Sequence, residues 1–380
     1  MKLNSNFLKA ISVLVGTIIG AGIFSLPYAF AQAGYLVGLI YLFVIAVIFY
    51  LTYLCYAEVI LRTEESLEMA GYVAKYLGKK GKIIITLSLV LGIYCALIAY
   101  IIGVGKFLHA LISPFLGGKE FIYSIFFWLV ASGIIFKGIR TMAALELVLT
   151  AGLIFVVIFI FYLTYPYLDL ANLKGINFKN LFFPYGPVLF ALGGASALPT
   201  MRKILDKEVN FFKKSILMGL AIPVFVYLIF SFSIVGVTGK NTSEEGIIGL
   251  SQIVDSKILL IGSIFGIFTM ATSFLALGYV LQELFYKDYQ IPHLGAWILS
   301  TFIPLILFIL GLRNFIQVIS FSGGILSGLQ GMLLIESFYQ AKIKGNRKPE
   351  LSFNLPRPLS YFIYLIYFLG IFYQIIYFIP

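Results

Sequence analysis

Eleven apolar stretches, most of them near or beyond the roughly 20 residues a helix needs to cross a bilayer, follow one another along this 380-residue chain. They fall at about 7–33, 35–61, 83–113, 120–137, 142–165, 181–201, 214–237, 257–283, 295–312, 314–337 and 358–379. Backbone inside hydrocarbon must satisfy its N–H and C=O groups internally, so such stretches fold as helices. The expected fold class is an all-α integral membrane protein, one transmembrane domain over residues 1–380 with no loop long enough for another. Composition agrees, because 61% hydrophobic and 11% charged residues cannot cover a water-facing surface. That excludes a soluble enzyme, a disulfide scaffold and a nucleic-acid binder.

The net charge of +11 is carried in short clusters between the apolar runs, where the partner is the anionic lipid surface of the bilayer. With the amino terminus cytoplasmic, 20 of the 27 basic residues fall on inner segments, among them Lys2, Lys9, Arg62, Arg140, Arg202, Lys203, Lys207 and Arg347. Only Lys106, Lys119, Lys174, Lys179, Lys240, Lys257 and Arg313 remain outside. The positive-inside rule therefore predicts a cytoplasmic amino terminus, an external carboxyl terminus and, for a multi-pass protein of this kind, the cell membrane. The first run is too long for a signal-peptide core and is expected to be retained. Cys55 and Cys95 lie within apolar runs and read as packing residues. Between Arg62 and Lys82, Leu67, Ala70, Val73, Ala74 and Leu77 recur at helical spacing, which predicts a short amphipathic helix on the inner face.

Two spans carry breaks. The first holds Gly16, Gly20 and Gly22 followed by Pro27, and the sixth holds Gly193, Gly194 and Ser196 followed by Pro199. Glycine costs about 1 kcal/mol and proline about 3 in a helix interior, and hydrocarbon leaves freed backbone groups no water to turn to. Tight packing of Gly16 and Gly20 against a neighbouring helix is the competing explanation. The breaks recur once per five spans, so residues 7–165 and 181–337 read as a five-plus-five inverted repeat with an extra helix at 358–379. At the crossing of two broken helices, the start of the outer half-helix near Ala21, Gly22 and Ile23 offers N–H groups to a carboxylate. Carbonyls near Thr17, Ile18 and Ile19, with those near Phe190 and Leu192, suit an ammonium group or a small cation. A zwitterion fits both poles.

The run Gly16-x-x-x-Gly20-Ala21-Gly22-Ile23-Phe24, with Leu26-Pro27-Tyr28-Ala29 and Gln32-Ala33-Gly34 downstream, resembles the first helix of amino-acid permeases. The likeness is to the amino acid/auxin permease family and the related bacterial aromatic amino-acid permeases. These belong to the amino acid-polyamine-organocation superfamily, which has the leucine-transporter fold. By that resemblance Gly20, Ala21 and Gly22 hold the substrate carboxylate, and Ile19, Phe190, Gly193 and Ser196 meet the amino group and side chain. Many members of the wider superfamily have acidic residues after the sixth helix, whereas this chain has Arg202 and Lys203.

Sodium-coupled members of the fold bind a cation between helices 1 and 8. The matching atoms are the carbonyls of Gly16, Ile19 and Thr269 and the hydroxyls of Thr272 and Ser273, five hard oxygens suited to an alkali ion. Thr-x-x-Thr-Ser also occurs where hydroxyls simply bond back to the preceding turn. A coupling proton is the alternative, which the resemblance favours. Yet Glu58, Glu146, Glu283 and Glu336 all lie toward span ends, and the fifth span carries no lysine. Lys106 reads as a side chain reaching for the interface. Tyr94 and Tyr100 lie on the third span, where relatives line the pocket. His109 and His293 share no metal-ligand spacing. The expected activity is secondary transport of a small neutral amino acid, aromatic or branched, by cation symport with alternating access and no other cofactor. The rivals are a sensing receptor on the same fold and an uncoupled exchanger.

Overall fold

The computed structural model describes residues 5–138, 142–250, 253, 254 and 256–378, and it leaves the side chains of 142–151, 207, 256, 288, 377 and 378 undescribed. Lys2 and Arg140, with the side chains of Glu146 and Lys207, therefore lie outside what is described. The fold is a bundle of helices: α1 (Ser5–Ile18), α2 (Gly22–Ala33), α3 (Tyr35–Leu61), α4 (Met69–Leu116), α5 (Glu120–Lys137), α6 (Met142–Thr164), α7 (Tyr185–Ala191), α8 (Leu198–Leu205), α9 (Phe212–Thr238), α10 (Ile247–Leu250), α11 (Ser256–Glu283), α12 (His293–Ile309), α13 (Phe315–Phe321), α14 (Gly328–Lys344) and α15 (Arg357–Phe378). Each expected apolar stretch holds at least one of them. By length and apolar character alone, eight helical segments among the described residues can cross a membrane, or nine when α1 and α2 count as one bent span. The helix over 293–309 and the described part of α6 are shorter.

Membrane solvent explains where the side chains go. Leu36, Phe43, Val47, Phe155, Phe225 and Phe372 stand exposed on helix exteriors, which lipid covers at no cost and water would not. The interior is filled by bulky side chains such as Phe107, Phe230, Phe274 and Tyr56, all less than 2% exposed.

The amphipathic helix expected between Arg62 and Lys82 is present as the first turns of α4. Met69, Tyr72, Val73 and Tyr76 turn inward, and the chain then swings into the long apolar part of α4 at Gly78, whose φ of 70° ends the helical geometry. Three of those four inward residues lie outside the predicted stripe, because the helix rotates to bury its tyrosines.

Two spans are broken where the sequence places its glycines. α1 and α2 meet at 56° across a gap that holds Ile19, Gly20 and Ala21. α7 ends at Ala191, and an irregular stretch through Gly193 and Gly194 leads by a 3₁₀ turn, Ala195–Ala197, into α8. A third irregularity was not expected. Between α13 and α14 the chain widens to a π-helix over Ser322–Ser327, a form that recurs at functional sites.

Candidate functional site

The centre is built where the two breaks cross. α1 keeps its last bond, from the Ile19 N–H to the Val15 carbonyl at 2.8 Å, and α2 begins with a tight one from the Phe24 N–H to the Ala21 carbonyl at 3.1 Å. Between them the N–H groups of Gly20, Ala21, Gly22 and Ile23 donate to no backbone carbonyl of the described residues. These groups point out of the start of α2, where the helix dipole is positive, so they form a ready anion cradle.

Gly22 has a second constraint. A β-carbon there would stand 2.5 Å from the Cα of Ala191, so the two spans touch backbone to backbone at this residue. Gly20 has more room: its β-carbon would lie 3.6 Å from the Tyr100 hydroxyl and 3.9 Å from that of Ser273. Tyr100 is thus beside the break, while Tyr94 turns away to donate to the Leu299 carbonyl at 3.0 Å.

Two tyrosines hold the broken ends, and neither was marked in the sequence. Tyr227 of α9, fully buried, places its hydroxyl 2.9 Å from the Ile18 carbonyl and 2.8 Å from the Ala191 carbonyl. One phenol thereby joins the last turn of α1 to the last turn of α7. Tyr53 of α3 donates to the Leu192 carbonyl at 2.9 Å and accepts from the Gly194 N–H at 2.6 Å, which fixes the unwound stretch of span 6. The Phe190 carbonyl is occupied by the Gly193 N–H at 3.2 Å. With 25 tyrosines in the chain, composition gave no means of selecting these two.

Phe190, Gly193 and Ser196 line a cavity of about 160 Å³ together with residues of α3, α4, α11, α14, α15 and the π-helix. Ile19, Gly20, Ala21 and Gly22 are outside its lining, so the structure divides the expected substrate residues between the cavity and the adjoining break. Of the expected cation ligands, Ile19 lies in the break of span 1 and Ser273 stands beside it. Thr272 bonds back along its own helix, to the Phe268 carbonyl at 3.0 Å and the Thr269 carbonyl at 3.1 Å. The Thr269 hydroxyl is buried without a hydrogen-bond partner, and Gly16 is buried within α1.

The two ends of the bundle differ. At one end, Lys106 does not reach for an interface. It pairs with Glu245, and with Glu244 at 3.1 Å, which in turn accepts from the Asn314 side-chain amide at 3.0 Å. This ties the segment 242–246 over α2, where Gly246 approaches Pro27 and the Phe24 carbonyl. Burial pushes the Glu245 carboxyl above its ordinary range, although the Lys106 ammonium pulls it down. Beneath it the Phe24 ring packs against Phe107 at 5.3 Å and Phe230 at 5.8 Å, so the route from the breaks to this end is plugged by aromatic rings.

At the other end α8 is held by looser contacts. Arg202 lies 3.8 Å from Glu350, and Lys203 lies 3.3 Å from Glu68 with side chains 54% and 73% exposed. Exposed pairs of this kind contribute little. The basic residues after span 6 therefore do find partners, with the acids on the scaffold instead of on α8. The buried Glu58 accepts from Arg62, four residues on, at 2.7 Å, and also from the Phe353 N–H. It anchors the strap between α14 and α15 that carries Glu350.

A model of the tryptophan/tyrosine permease family matches residues 3–377. The chain belongs to that family. This permease is 25% identical over 354 residues to tyrosine-specific transport system 1 of Haemophilus influenzae, covering 87% of each chain. It is 26% identical to tyrosine-specific transport system 2 of the same organism, covering 84% of each. Glutamine transporter 2 of Aliivibrio fischeri is 25% identical over 328 residues, with 83% of this chain and 84% of that protein covered. Among solved structures, MhsT in complex with L-phenylalanine superposes with a TM-score of 0.65 at 17% identity, covering 97% of both chains. The permease therefore has the leucine-transporter fold. It is a multi-pass membrane protein for amino-acid transport and not an enzyme, and the resemblance read from its first helix extends over nearly the whole chain.

Proposed function

We propose that this permease carries a neutral amino acid with an aromatic or branched side chain inward, by sodium symport with alternating access. The observation that carries this reading is the row of unbonded N–H groups from Gly20 to Ile23 at the start of α2, set against the broken end of α7 at Ala191. A substrate carboxylate takes the N–H groups of Gly20, Ala21 and Gly22. Its amino group meets the carbonyl of Ile19, and its side chain enters the cavity past Phe190, Gly193 and Ser196. No charged side chain lines that cavity among the described residues, which favours a neutral substrate. The names of the relatives point the same way, since tyrosine and glutamine are both uncharged at the side chain.

The architecture we propose is eleven spans in a five-plus-five inverted repeat, over about 7–165 and 181–337, with the helix at 358–379 added. The amino terminus is cytoplasmic, the carboxyl terminus outside, and the protein sits in the cell membrane. Sodium is favoured as the driving ion by the Ser273 hydroxyl beside Gly20. The carbonyls of Gly16, Ile19 and Thr269 and the hydroxyl of Thr272 complete the set.

The test is reconstitution in liposomes with labelled amino acids under imposed sodium or proton gradients. Sodium-driven accumulation of a neutral amino acid is expected. Accumulation driven by protons alone replaces the ion, exchange without any gradient makes the protein an exchanger, and binding without uptake makes it a receptor.

A further inference from the structure

The cavity beside the breaks has a polar end that the central site does not use. Ser322, only 5% exposed, and Gln330 lie on the π-helix and on α14. Their Oγ and Nε2 atoms both stand 3.9 Å from the point where a β-carbon on Gly92 of α4 would sit, so they converge on one spot. Neither side chain makes a hydrogen bond with the described residues, and both line the cavity. When an occupant fills the cavity these two groups lose access to water, and they cost free energy unless that occupant supplies the bond.

The surrounding fold shows why they are there. The backbone of Gly323 presses against the Gly186 carbonyl and lies so close to span 6 that a β-carbon would stand 2.6 Å from the Phe190 nitrogen. That contact pins the wide turn against the first half of span 6 and fixes Ser322 next to Phe190. The walls between this polar end and the unwound stretch are aromatic, from Phe49 of α3 and Phe190 itself. A flat ring entering the cavity beside Phe190 would lie between those faces and bring its far end to Ser322 and Gln330.

We infer that Ser322 and Gln330 form a side-chain subsite that reads the hydrogen-bonding tip of the substrate, a phenol hydroxyl on an aromatic ring. The hydroxyl donates to the Gln330 amide oxygen and accepts from the Ser322 hydroxyl, so both residues that make no hydrogen bond within the protein are engaged. A plain hydrocarbon ring fits the walls but leaves the polar pair unpaired, so it is rejected. The subsite rests on the reading of the central breaks as the place where the amino-acid backbone is held.

The test uses the full-length protein in proteoliposomes with labelled tyrosine and labelled phenylalanine, which differ only at the tip. Wild type is expected to prefer tyrosine. Gln330→Met and Ser322→Ala, which preserve shape, are each expected to lower the tyrosine-to-phenylalanine uptake ratio about tenfold, the size of one hydrogen bond, with phenylalanine uptake raised as the unpaired polar group is removed. A tyrosine-to-phenylalanine ratio that stays at its wild-type value in both variants overturns the subsite, as does a wild type that prefers phenylalanine. Equal loss of both amino acids in Gln330→Met marks a structural role and overturns it too. Wild type that takes up neither amino acid under any gradient overturns the transport reading itself, and the subsite with it.

Discussion

Gly22 and Ala191 meet backbone to backbone: a β-carbon on Gly22 would lie 2.5 Å from the Ala191 Cα and 2.8 Å from its Cβ. Helix contact is thus a stronger demand on Gly22 than ligand approach. Gly22→Ala is expected to force the spans apart, lowering the melting temperature of the detergent-solubilised protein and its uptake. Gly20→Ala, whose β-carbon would meet nothing nearer than the Tyr100 hydroxyl at 3.6 Å, should leave the melting temperature nearly unchanged. Equal melting temperatures for the two variants would show that the crossing is not set by Gly22.

Tyr227→Phe removes the donor shared by the Ile18 and Ala191 carbonyls without changing the shape of the core. Leaving buried carbonyls unpaired costs about 1–3 kcal/mol. The expected outcome is a loss of stability of that order in thermal unfolding, together with reduced uptake. Retention of full stability would mean that the carbonyls find other partners.

The cation ligands are expected to differ in weight. Thr272 must give up its bonds to the Phe268 and Thr269 carbonyls before it can serve an ion, whereas Ser273 already stands beside the break. Ser273→Ala should abolish sodium stimulation of uptake and Thr272→Ala should weaken it less. Sodium dependence that survives Ser273→Ala removes the assignment.

Segment 242–246 should close more tightly in acid. Glu245 is faced by Lys106 from α4 and by Glu244 from its own segment, and burial raises its carboxyl above the ordinary range. A group whose closed-state pKa is raised favours closure fully below its ordinary value and loses that contribution as pH climbs through the raised one. Hydrogen exchange across 242–250, corrected for its intrinsic rate, should therefore slow on acidification. In Glu245→Gln that dependence should vanish, and its persistence would place the titrating group elsewhere.

At the basic end, Arg202 and Glu350 should behave as a reversible tie. Glu350→Arg is expected to loosen α8 and expose the cavity, read as faster labelling of a Ser196→Cys reporter by a hydrophilic thiol reagent. Adding Arg202→Glu should restore the wild-type rate, because the pair is re-formed with its charges exchanged. Failure of the double variant to recover would show that Glu350 acts through Arg347, its nearer partner, instead of through the 3.8 Å contact.

The helices and both breaks were legible because hydrocarbon leaves the backbone few options, so glycine and proline clusters inside an apolar run mark where a span cannot continue. That Phe190, Gly193 and Ser196 stand at the second break was legible for the same reason, while what they meet is implied only by the family resemblance. Tyr53 and Tyr227 were hidden, since each looks like any other tyrosine until the fold brings it to a carbonyl more than 30 residues away in the chain. The π-helix at Ser322–Ser327 was hidden as well, since Gly323-Gly324 reads equally as plain helix packing. Lys106 was read as a lone cation because its partners lie 138 and 139 residues further on. Local sequence indicates where a backbone yields, and only the fold indicates which side chain arrives there.

The phenol of Tyr227 has a single hydrogen and faces two acceptors, so the heart of the resting permease is short of one donor. An ammonium brings three. A guest carrying one can quiet the carbonyl that the phenol neglects and free that hydroxyl to swing wholly to the other helix. In this picture the arriving solute completes a count that the protein alone leaves uneven.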